Sequence, residues 1–333
     1  MTAQRSAEEI LPDDILLDVK NLRKSFPVRK GVFARVRGLV EAVSNISFKV
    51  RQGQTLALIG ESGSGKTTVA RILLRLEEPD GGEVYFQGRN ILDIKGRALL
   101  DLRRDIQMIF QDPFSSLNPY MTVGQIIGES LRVHKIHSRK EVKNCVQEIL
   151  EKVGLTQDLY SRYPHEFSGG QRQRIGIGRA LTLNPQLIVC DEPVSALDVS
   201  VRAQILNLLQ DLQETLGLTY IFVGHDLSVI RHVSHEVAVM YMGKIVEMAF
   251  ASVFFFGPLH PYSEALQSAA PIPDPEARKR RTLLSGDVPN LFSLPPGCRF
   301  HTRCPLTKDI CSQEEPRLKE SSPGHSVACH FRG

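Results

Sequence analysis

The sequence predicts an α/β fold built around a buried, mostly parallel sheet. Short apolar runs at residues 55–59, 187–190 and 220–223 have the length and composition of strands that are buried on both faces. Helix-like segments alternate with these runs, and such alternation is typical of a parallel sheet. A glycine-rich loop also joins the first run to a helix-like segment at residues 66–76. We therefore expect at least three core strands.

Length and composition indicate a folded protein of about two domains. The chain has 333 residues, of which 42% are hydrophobic and 23% charged, so it can build a real core and is not intrinsically disordered. Its net charge of +4 is too small to imply a nucleic-acid surface or a polybasic membrane anchor.

No apolar stretch reaches the roughly 18 residues that a membrane span needs. The most apolar stretch covers only residues 249–259, and the acidic segment at residues 1–14 lacks the order of a secretory signal. We therefore expect a cytoplasmic protein that does not span the membrane.

The order of patterns predicts three parts of the chain. Residues 1–14 form an N-terminal tail, residues 15–257 a main domain and residues 258–333 a Pro-rich extension. The main domain begins with two strands, in residues 15–50, around a basic loop at residues 29–37. Residues 91–163 are predicted to be mostly helical, with an inserted helical subdomain at about residues 100–165.

The segment from Gly60 to Thr67, with sequence GESGSGKT, matches a phosphate-binding loop between a strand and a helix. Glycines let backbone N–H groups face a phosphate, and the helix N-terminus adds its positive dipole end. We expect Lys66 to reach the β and γ phosphates and the Thr67 hydroxyl to ligate Mg²⁺. The residues predicted to bind the nucleotide here are Gly60, Ser62, Gly63, Ser64, Gly65, Lys66, Thr67 and Thr68.

A second apolar run ends in two carboxylates, Asp191 and Glu192. We expect Asp191 to hold Mg²⁺ and Glu192 to polarise the attacking water, because a metal-bound nucleotide needs both an anchor and a positioned water. Between the two motifs, Ser168, Gly169, Gly170 and Gln171 open another helix, whose N-terminus can also accept an anion.

With these motifs the chain resembles the ATP-binding subunits of ABC transporters, which share a P-loop NTPase core. Their signature is Leu-Ser-Gly-Gly-Gln, and Phe167 replaces the Leu here. The resemblance implies that the signature of one subunit covers the γ phosphate bound by the other, so that two subunits, identical or paralogous, enclose two ATP molecules.

Other family elements follow in order. Gln111 matches the loop that senses the γ phosphate, ligates Mg²⁺ and faces the membrane subunits; residues 195–198 match the loop between the two sites; and His225 matches the switch histidine. The resemblance thus implies that Lys66, Gln111, Glu192 and His225 are catalytic. Phe26 lies where the family places an aromatic residue that stacks on adenine. Phe33 is the other candidate for this role, and either residue could instead belong to the core or the surface.

Longer matches narrow the resemblance to the dipeptide/oligopeptide importer branch. They include residues 110–119, 163–171, 194–200, 259–262 and 296–301. The implied partners are two membrane permease subunits and, indirectly, a solute-binding protein, with the chain peripheral at the cytoplasmic face of the inner membrane and no nucleic acid bound. A nucleic-acid- or ribosome-associated ABC ATPase is the alternative, and a scaffold with a dead site a third possibility that the intact motifs disfavour.

Four cysteines close the chain: Cys298, Cys304, Cys311 and Cys329. Their spacing differs from the close pairs of a zinc ribbon and leaves three interpretations open. The first is a [4Fe–4S] cluster, which the resemblance to the importer branch implies. The second is a Zn²⁺ site that also uses His301, His325 or His330, and the third is packing of the cysteines as small apolar side chains. The basic run at residues 278–281 is typical of a solvated loop rather than of a lipid or nucleic-acid contact.

Overall fold

The structure is a computed structural model that describes residues 14–30, 35–136, 138–269 and 294–332. The strands in these ranges are β1 (Ile15–Lys30), β2 (Arg35–Arg51), β3 (Thr55–Ile59), β4 (Gly81–Phe86), β5 (Arg89–Asn90), β6 (Ile106–Ile109), β7 (Leu187–Asp191), β8 (Thr219–Gly224), β9 (Glu236–Tyr241), β10 (Lys244–Phe250), β11 (Lys319–Ser322) and β12 (His325–Val327). The helices are α1 (Lys66–Leu73), α2 (Arg97–Asp105), α3 (Pro113–Ser116), α4 (Val123–Val133), α5 (Arg139–Lys152), α6 (Gly169–Leu181), α7 (Val199–Leu216), α8 (Leu227–Val233), α9 (Ala251–Phe256), α10 (Pro261–Ala269) and α11 (Asp309–Gln313).

The larger of two sheets has eight strands in the described ranges, in the order β11-β12-β10-β9-β3-β8-β7-β6. Strands β6, β7, β8, β3 and β9 pair in parallel, and β10, β12 and β11 extend the sheet with antiparallel pairs. Every residue of β3, β7 and β8 is buried, which confirms the three predicted core strands.

Two apolar cores lie on the two faces of this sheet. Leu56 and Leu58 of β3 belong to one core, whereas Ala57 and Ile59 belong to the other. This division follows from the alternation of side chains along a strand, and it explains why strands covered on both faces are apolar at every position.

The smaller sheet is antiparallel, with the order β2-β1-β4-β5 in the described residues. Strands β1 and β2 pair from Ile15–Arg51 to Lys30–Arg35, which confirms the two strands predicted in residues 15–50. The predicted loop at residues 29–37 was too long, because the paired strands include residues 29–30 and 35–37. Residues 31–34, with Phe33, lie outside the described ranges, as do the tail at residues 1–13 and the basic run at residues 278–281.

The prediction that residues 91–163 are mostly helical missed a strand. β6 lies in this segment and pairs in parallel with β7, so it belongs to the main sheet. Its four residues, Ile-Gln-Met-Ile, are too few to show a distinguishing period, and only the partner strand makes them extended. Helices α3 to α6 follow, with short 3-10 helices at Gln157–Ser161 and Pro164–Glu166. The subdomain limits of about residues 100–165 stay a prediction.

The described part of the extension packs into the main domain. β12 pairs with β10, and Tyr262 and Phe300 are buried in the same core as β3 and β7. The domain limits at residues 15–257 and 258–333 thus stay a prediction. In the described residues, the two parts share one apolar core. No helix in the described ranges is long and apolar enough to cross a membrane.

Candidate active site

Four neighbouring parallel strands end at one edge of the main sheet, here called the catalytic edge. β3 leads into the phosphate loop (residues 60–67), β7 ends at Asp191 and Glu192, β8 is followed by His225, and β6 is followed after one residue by Gln111. The carboxyl ends of parallel strands share an edge, where α/β proteins bind ligands. The fold thereby gathers motifs that are far apart in sequence.

A cavity of about 680 Å³ opens at the catalytic edge. Its lining contains most of the residues that the sequence predicted for nucleotide binding and three, Ala42, Glu61 and Leu266, that were not among the predicted site residues. The lining residues are Phe26, Ala42, Gly60, Glu61, Ser62, Gly63, Gly65, Lys66, Thr67, Thr68, Gln111, Glu192, His225 and Leu266.

Two glycines of the phosphate loop are required by close backbone contacts. Gly60 has φ +152° and a Cβ there would lie 2.1 Å from the Met240 carbonyl oxygen. Gly65 has φ +105° and a Cβ there would lie 2.2 Å from the Ala42 carbonyl oxygen. Both conformations suit glycine, so the loop can pack closely against β9 and β2.

Lys66 is buried, and its side-chain ammonium group contacts the phosphate loop. Its Nζ donates to the carbonyl oxygens of Gly60 at 2.8 Å and Glu61 at 2.9 Å, and to Ser64 Oγ at 3.3 Å. Burial lowers the pKa of Lys66, and the nearby carboxylates of Glu192, Asp191 and Glu61 partly oppose that shift. An anionic phosphate in the cavity would favour the charged amine.

Thr67 and Asp191 meet at the base of the cavity, where Thr67 Oγ1 donates to Asp191 Oδ1 at 3.4 Å. Burial raises the pKa of Asp191, and Glu192 raises it further, while the Thr67 hydrogen bond lowers it. Hydroxyl, carboxylate and amide oxygens are hard ligands of the kind that Mg²⁺ prefers, so Thr67, Asp191 and Gln111 fit this ion chemically.

Glu192 lies between two of the other predicted catalytic side chains, Gln111 and His225. Its Oε1 is 3.0 Å from His225 Nδ1, and its Oε2 accepts from Gln111 Nε2 at 3.0 Å. Glu192 also has φ +46°, a conformation that costs of order 1–3 kcal/mol outside glycine. Its N–H donates to the Val223 carbonyl at 2.9 Å and its carbonyl accepts from Ser195 Oγ at 3.0 Å, so neighbouring elements hold this strained backbone.

The signature residues lie elsewhere. Ser168 begins α6 in a capping box: Ser168 Oγ accepts from the Gln171 N–H and Gln171 Oε1 from the Ser168 N–H. A Cβ at Gly170 would lie 2.4 Å from Val201 Cγ1, so this glycine allows α6 to pack on α7. Within the described ranges, Ser168, Gly169, Gly170 and Gln171 do not line the cavity of their own chain.

Phe26 is half-buried at the far wall of the cavity, on β1. Lys24 Nζ lies 5.1 Å from the centre of its ring. Its position suits stacking on a flat base, whereas Phe33, the competing residue, lies outside the described ranges.

The four cysteines of the extension are free thiols that influence one another electrostatically. The pKa of Cys298 is raised to about 11, mainly by burial and in smaller part by Cys311, Cys304 and Cys329, while a backbone hydrogen bond at Phe300 opposes the shift. In the described part of the chain, no three His, Cys, Asp or Glu side chains are arranged to hold a metal ion. The three candidate histidines have other partners: His301 contacts the Cys298 carbonyl, His325 contacts Glu247, and His330 contacts the Glu314 carbonyl.

The sequence missed the contacts that the extension makes with this site. Arg303 and Tyr262 bind Glu61 of the phosphate loop, and Leu266 of α10 lines the cavity. No local pattern could have indicated these contacts, since Glu61 and Arg303 are 242 residues apart.

Comparisons with known proteins agree with this geometry. The family model described as "ABC transporter" matches residues 43–195, and the model described as "Oligopeptide/dipeptide transporter, C-terminal region" matches residues 246–311. The chain is 48% identical to the oligopeptide transport ATP-binding protein AppF of Bacillus subtilis, over 96% of this chain and 98% of that protein. It is 50% identical to the probable peptide ABC transporter ATP-binding protein y4tS of Sinorhizobium fredii, over 96% and 90%.

Solved structures share the fold. A dimeric post-hydrolysis structure of the ATP-binding cassette MJ0796, bound to ADP and phosphate, is 30% identical with a TM-score of 0.62. The match covers 71% of this chain and 98% of that one.

Proposed function

The chain belongs to the ATP-binding subunits of oligopeptide/dipeptide ABC transporters, and we propose the roles that its residues take when ATP hydrolysis powers peptide import. Its fold is that of an ABC ATPase, with the α/β core of a P-loop NTPase. One observation carries the proposal. Glu192 lies between Gln111 and His225 at the mouth of a cavity that is floored by the phosphate loop.

Each side chain has a role that its position supports. The loop N–H groups and Lys66 bind the phosphates, while Phe26 stacks on adenine. Glu192 orients and polarises the attacking water, His225 holds the Glu192 carboxylate, and Gln111 contacts the same carboxylate from the other side. Thr67, Asp191 and Gln111 would hold Mg²⁺, which would neutralise charge on the phosphates when bound.

The second ATPase subunit completes the site. Ser168, Gly169, Gly170 and Gln171 form a helix N-terminus suited to a phosphate, yet they do not line their own chain's cavity in the described residues. We infer that they cover the γ phosphate bound by a partner subunit, which is either a second copy or a paralogue.

Permease subunits dock beside Gln111. Phe114 and Tyr120 are 62% and 89% exposed there, which identifies both as surface residues. An adjoining groove of about 340 Å³ also exposes Leu76, Phe110 and Val133. Such an apolar surface favours a protein partner. We propose that this partner is the permease, with the chain at the cytoplasmic face of the inner membrane and a solute-binding protein as an indirect partner. We propose no nucleic-acid partner.

We propose that the extension carries a [4Fe–4S] cluster on Cys298, Cys304, Cys311 and Cys329, with Zn²⁺ as the alternative metal, although in the described residues these side chains are not arranged as metal ligands. The proposal is supported by the electrostatic proximity of four free thiols, since thiolates are the ligands of such clusters. Anaerobically purified protein should be brown, with broad absorption near about 400 nm and about four iron atoms per chain. If metal analysis finds one equivalent of zinc and no iron, the site is a zinc site and not a cluster. If it finds neither metal, the cysteines are structural.

The function is tested by reconstitution. Proteoliposomes that contain this chain, its partner ATPase and their permease should take up labelled peptides only with ATP, and Lys66→Ala should abolish uptake by weakening ATP binding. ATP-dependent assembly on nucleic acid or ribosomes without peptide uptake would contradict the proposal.

A further inference from the structure

The extension grips the phosphate loop at one residue, Glu61. Arg303 donates to both carboxylate oxygens of Glu61, from Nη1 at 3.0 Å and from Nη2 at 3.2 Å. The Tyr262 hydroxyl accepts from the Glu61 N–H at 2.8 Å. The Glu61 carbonyl in turn accepts from Lys66 Nζ at 2.9 Å, so a residue held by the extension supplies part of the seat of the phosphate-binding lysine.

Arg303 is itself fixed in place. Its side chain is 8% exposed, and its Nη1 also lies 3.4 Å from the Tyr241 hydroxyl. A guanidinium group stays protonated in proteins, so the charge of Arg303 is permanent. Among the described residues, its Nε is a buried polar atom without a partner. An apolar side chain would fill this space without that cost, so packing alone does not explain an arginine here.

Glu61 creates an electrostatic problem for the loop. Its carboxylate stands at the wall of a cavity that receives several phosphate charges, and like charges at close range in a partly buried site repel. A bidentate arginine offsets this charge and fixes the direction of the carboxylate.

We propose that Arg303 is a positioning residue for ATP binding, which acts through Glu61 to hold the phosphate loop and to offset the charge beside it. The inference rests on the proposed function of the cavity. It makes the extension part of the nucleotide site, with Arg303 adjacent to Cys304.

A second contact of the same segment supports this role. Arg299 Nη2 donates to Glu41 Oε2 at 2.6 Å and to Ser44 Oγ at 2.9 Å, on the stretch of β2 that includes the cavity residue Ala42. Residues 298–304 therefore contact both the phosphate loop and the strand that faces it.

The test measures equilibrium binding of a non-hydrolysable ATP analogue with Mg²⁺ to the full chain. Arg303→Met, which keeps the aliphatic bulk, should weaken binding about tenfold, since it removes hydrogen bonds between charged groups. Arg303→Lys should retain most of the affinity because it keeps the charge. Adding Glu61→Gln to Arg303→Met should recover most of the loss, because the uncompensated carboxylate is gone.

A matched control lies in the same extension. Arg332 pairs with Glu264 at 3.3 Å with both side chains about 40% exposed, so Arg332→Met should leave binding unchanged. In the assembled transporter, Arg303→Met should raise KM for ATP and leave kcat within about twofold. The residues proposed for hydrolysis, Glu192 and His225, are positioned by β7 and β8 and not by Arg303.

Parental affinity in Arg303→Met would overturn the inference. So would a loss that Glu61→Gln fails to recover, since Arg303 would then act only through stability. If Arg303→Met does not fold, Arg303→Gln replaces it, alone and with Glu61→Gln, because glutamine also removes the charge and the same loss and recovery are expected. A parental chain that binds no analogue would instead contradict the proposed function.

Discussion

The catalytic edge and the C-terminal extension are held in place by different kinds of contact. At the edge, main-chain geometry sets each position: strands end side by side, and glycines let the loop approach β9 and β2. The extension shares a strand pair and apolar packing with the main domain, and it is tied down further by long-range bonds of charged side chains, from Glu247, Arg299 and Arg303. Contacts of the first kind leave local motifs in a sequence, whereas contacts of the second kind leave single residues without a pattern.

The largest expected effect is on hydrolysis at the catalytic edge. Glu192→Gln should retain ATP binding and lose roughly 10²- to 10³-fold in hydrolysis rate, because the amide keeps the shape but removes the charge that polarises water. Steady-state ATPase assays of the assembled transporter measure the rate, and analogue binding measures affinity. Hydrolysis at the parental rate would show that Glu192 is not the polarising group.

The next effect tests the extension through its buried carboxylate. Glu247 of β10 is fully buried and accepts from the backbone N–H groups of Leu259 and His260 and from His325 Nε2 at 2.7 Å. Glu247→Ala leaves these donors without an acceptor and should lower the free energy of unfolding by about 3 kcal/mol. Urea unfolding followed by hydrogen exchange should locate the loosening in the extension.

Glu315→Ala is the control for that variant. Glu315 pairs with Lys244 but is 49% exposed, and such surface pairs contribute less than about 1 kcal/mol. Equal destabilisation by both substitutions would mean that the Glu247 bonds do not hold the extension.

The two kinds of contact also explain what could be predicted from the sequence. The phosphate loop, Asp191 and Glu192 were found because glycines, a lysine and paired carboxylates follow buried strands at fixed spacing. The sequence could not indicate that Glu192 would lie between Gln111 and His225 at 3.0 Å from each, since this depends on the order of β6, β7 and β8.

Two other features were out of reach for a similar reason. β6 is too short to show a period, and only its pairing with β7 makes it a strand. Arg303 is one arginine next to a cysteine in the sequence. Its role appears only when Tyr262 of α10 and Arg303 itself are both placed against Glu61 by the fold.

A smaller effect should appear as a pH dependence of the extension. His260 is buried, which lowers its pKa from 6.5 to about 3, and its Nδ1 accepts from the Tyr262 N–H at 3.1 Å. Because the unfolded chain binds the proton at a higher pH, the stabilisation is present above about pH 6.5 and is lost as the pH falls. Between pH 6.5 and 5 we expect a loss of about 2 kcal/mol in the free energy of unfolding.

His260→Asn sharpens that measurement. The asparagine carbonyl can accept from the same N–H but does not titrate in this range, so urea unfolding at pH 7, 6 and 5 should show a shallower pH dependence. An unchanged slope would exclude His260 as its source.

The smallest effect on stability is expected at the surface beside Gln111, where the consequence for assembly should be largest. Phe114→Asp and Tyr120→Asp alter side chains that are 62% and 89% exposed, so each should change the free energy of unfolding by less than about 0.5 kcal/mol. Arg172 lies 3.9 Å from the centre of the Phe114 ring and can pair with the new carboxylate. Co-purification with the permease should nevertheless fail, because a charge replaces an apolar contact at the docking surface.

Leu216→Asp is the control. Leu216 is 44% exposed at the end of α7, away from the catalytic edge, so this substitution should leave assembly intact. Retained co-purification in both aspartate variants would move the permease contact away from this surface.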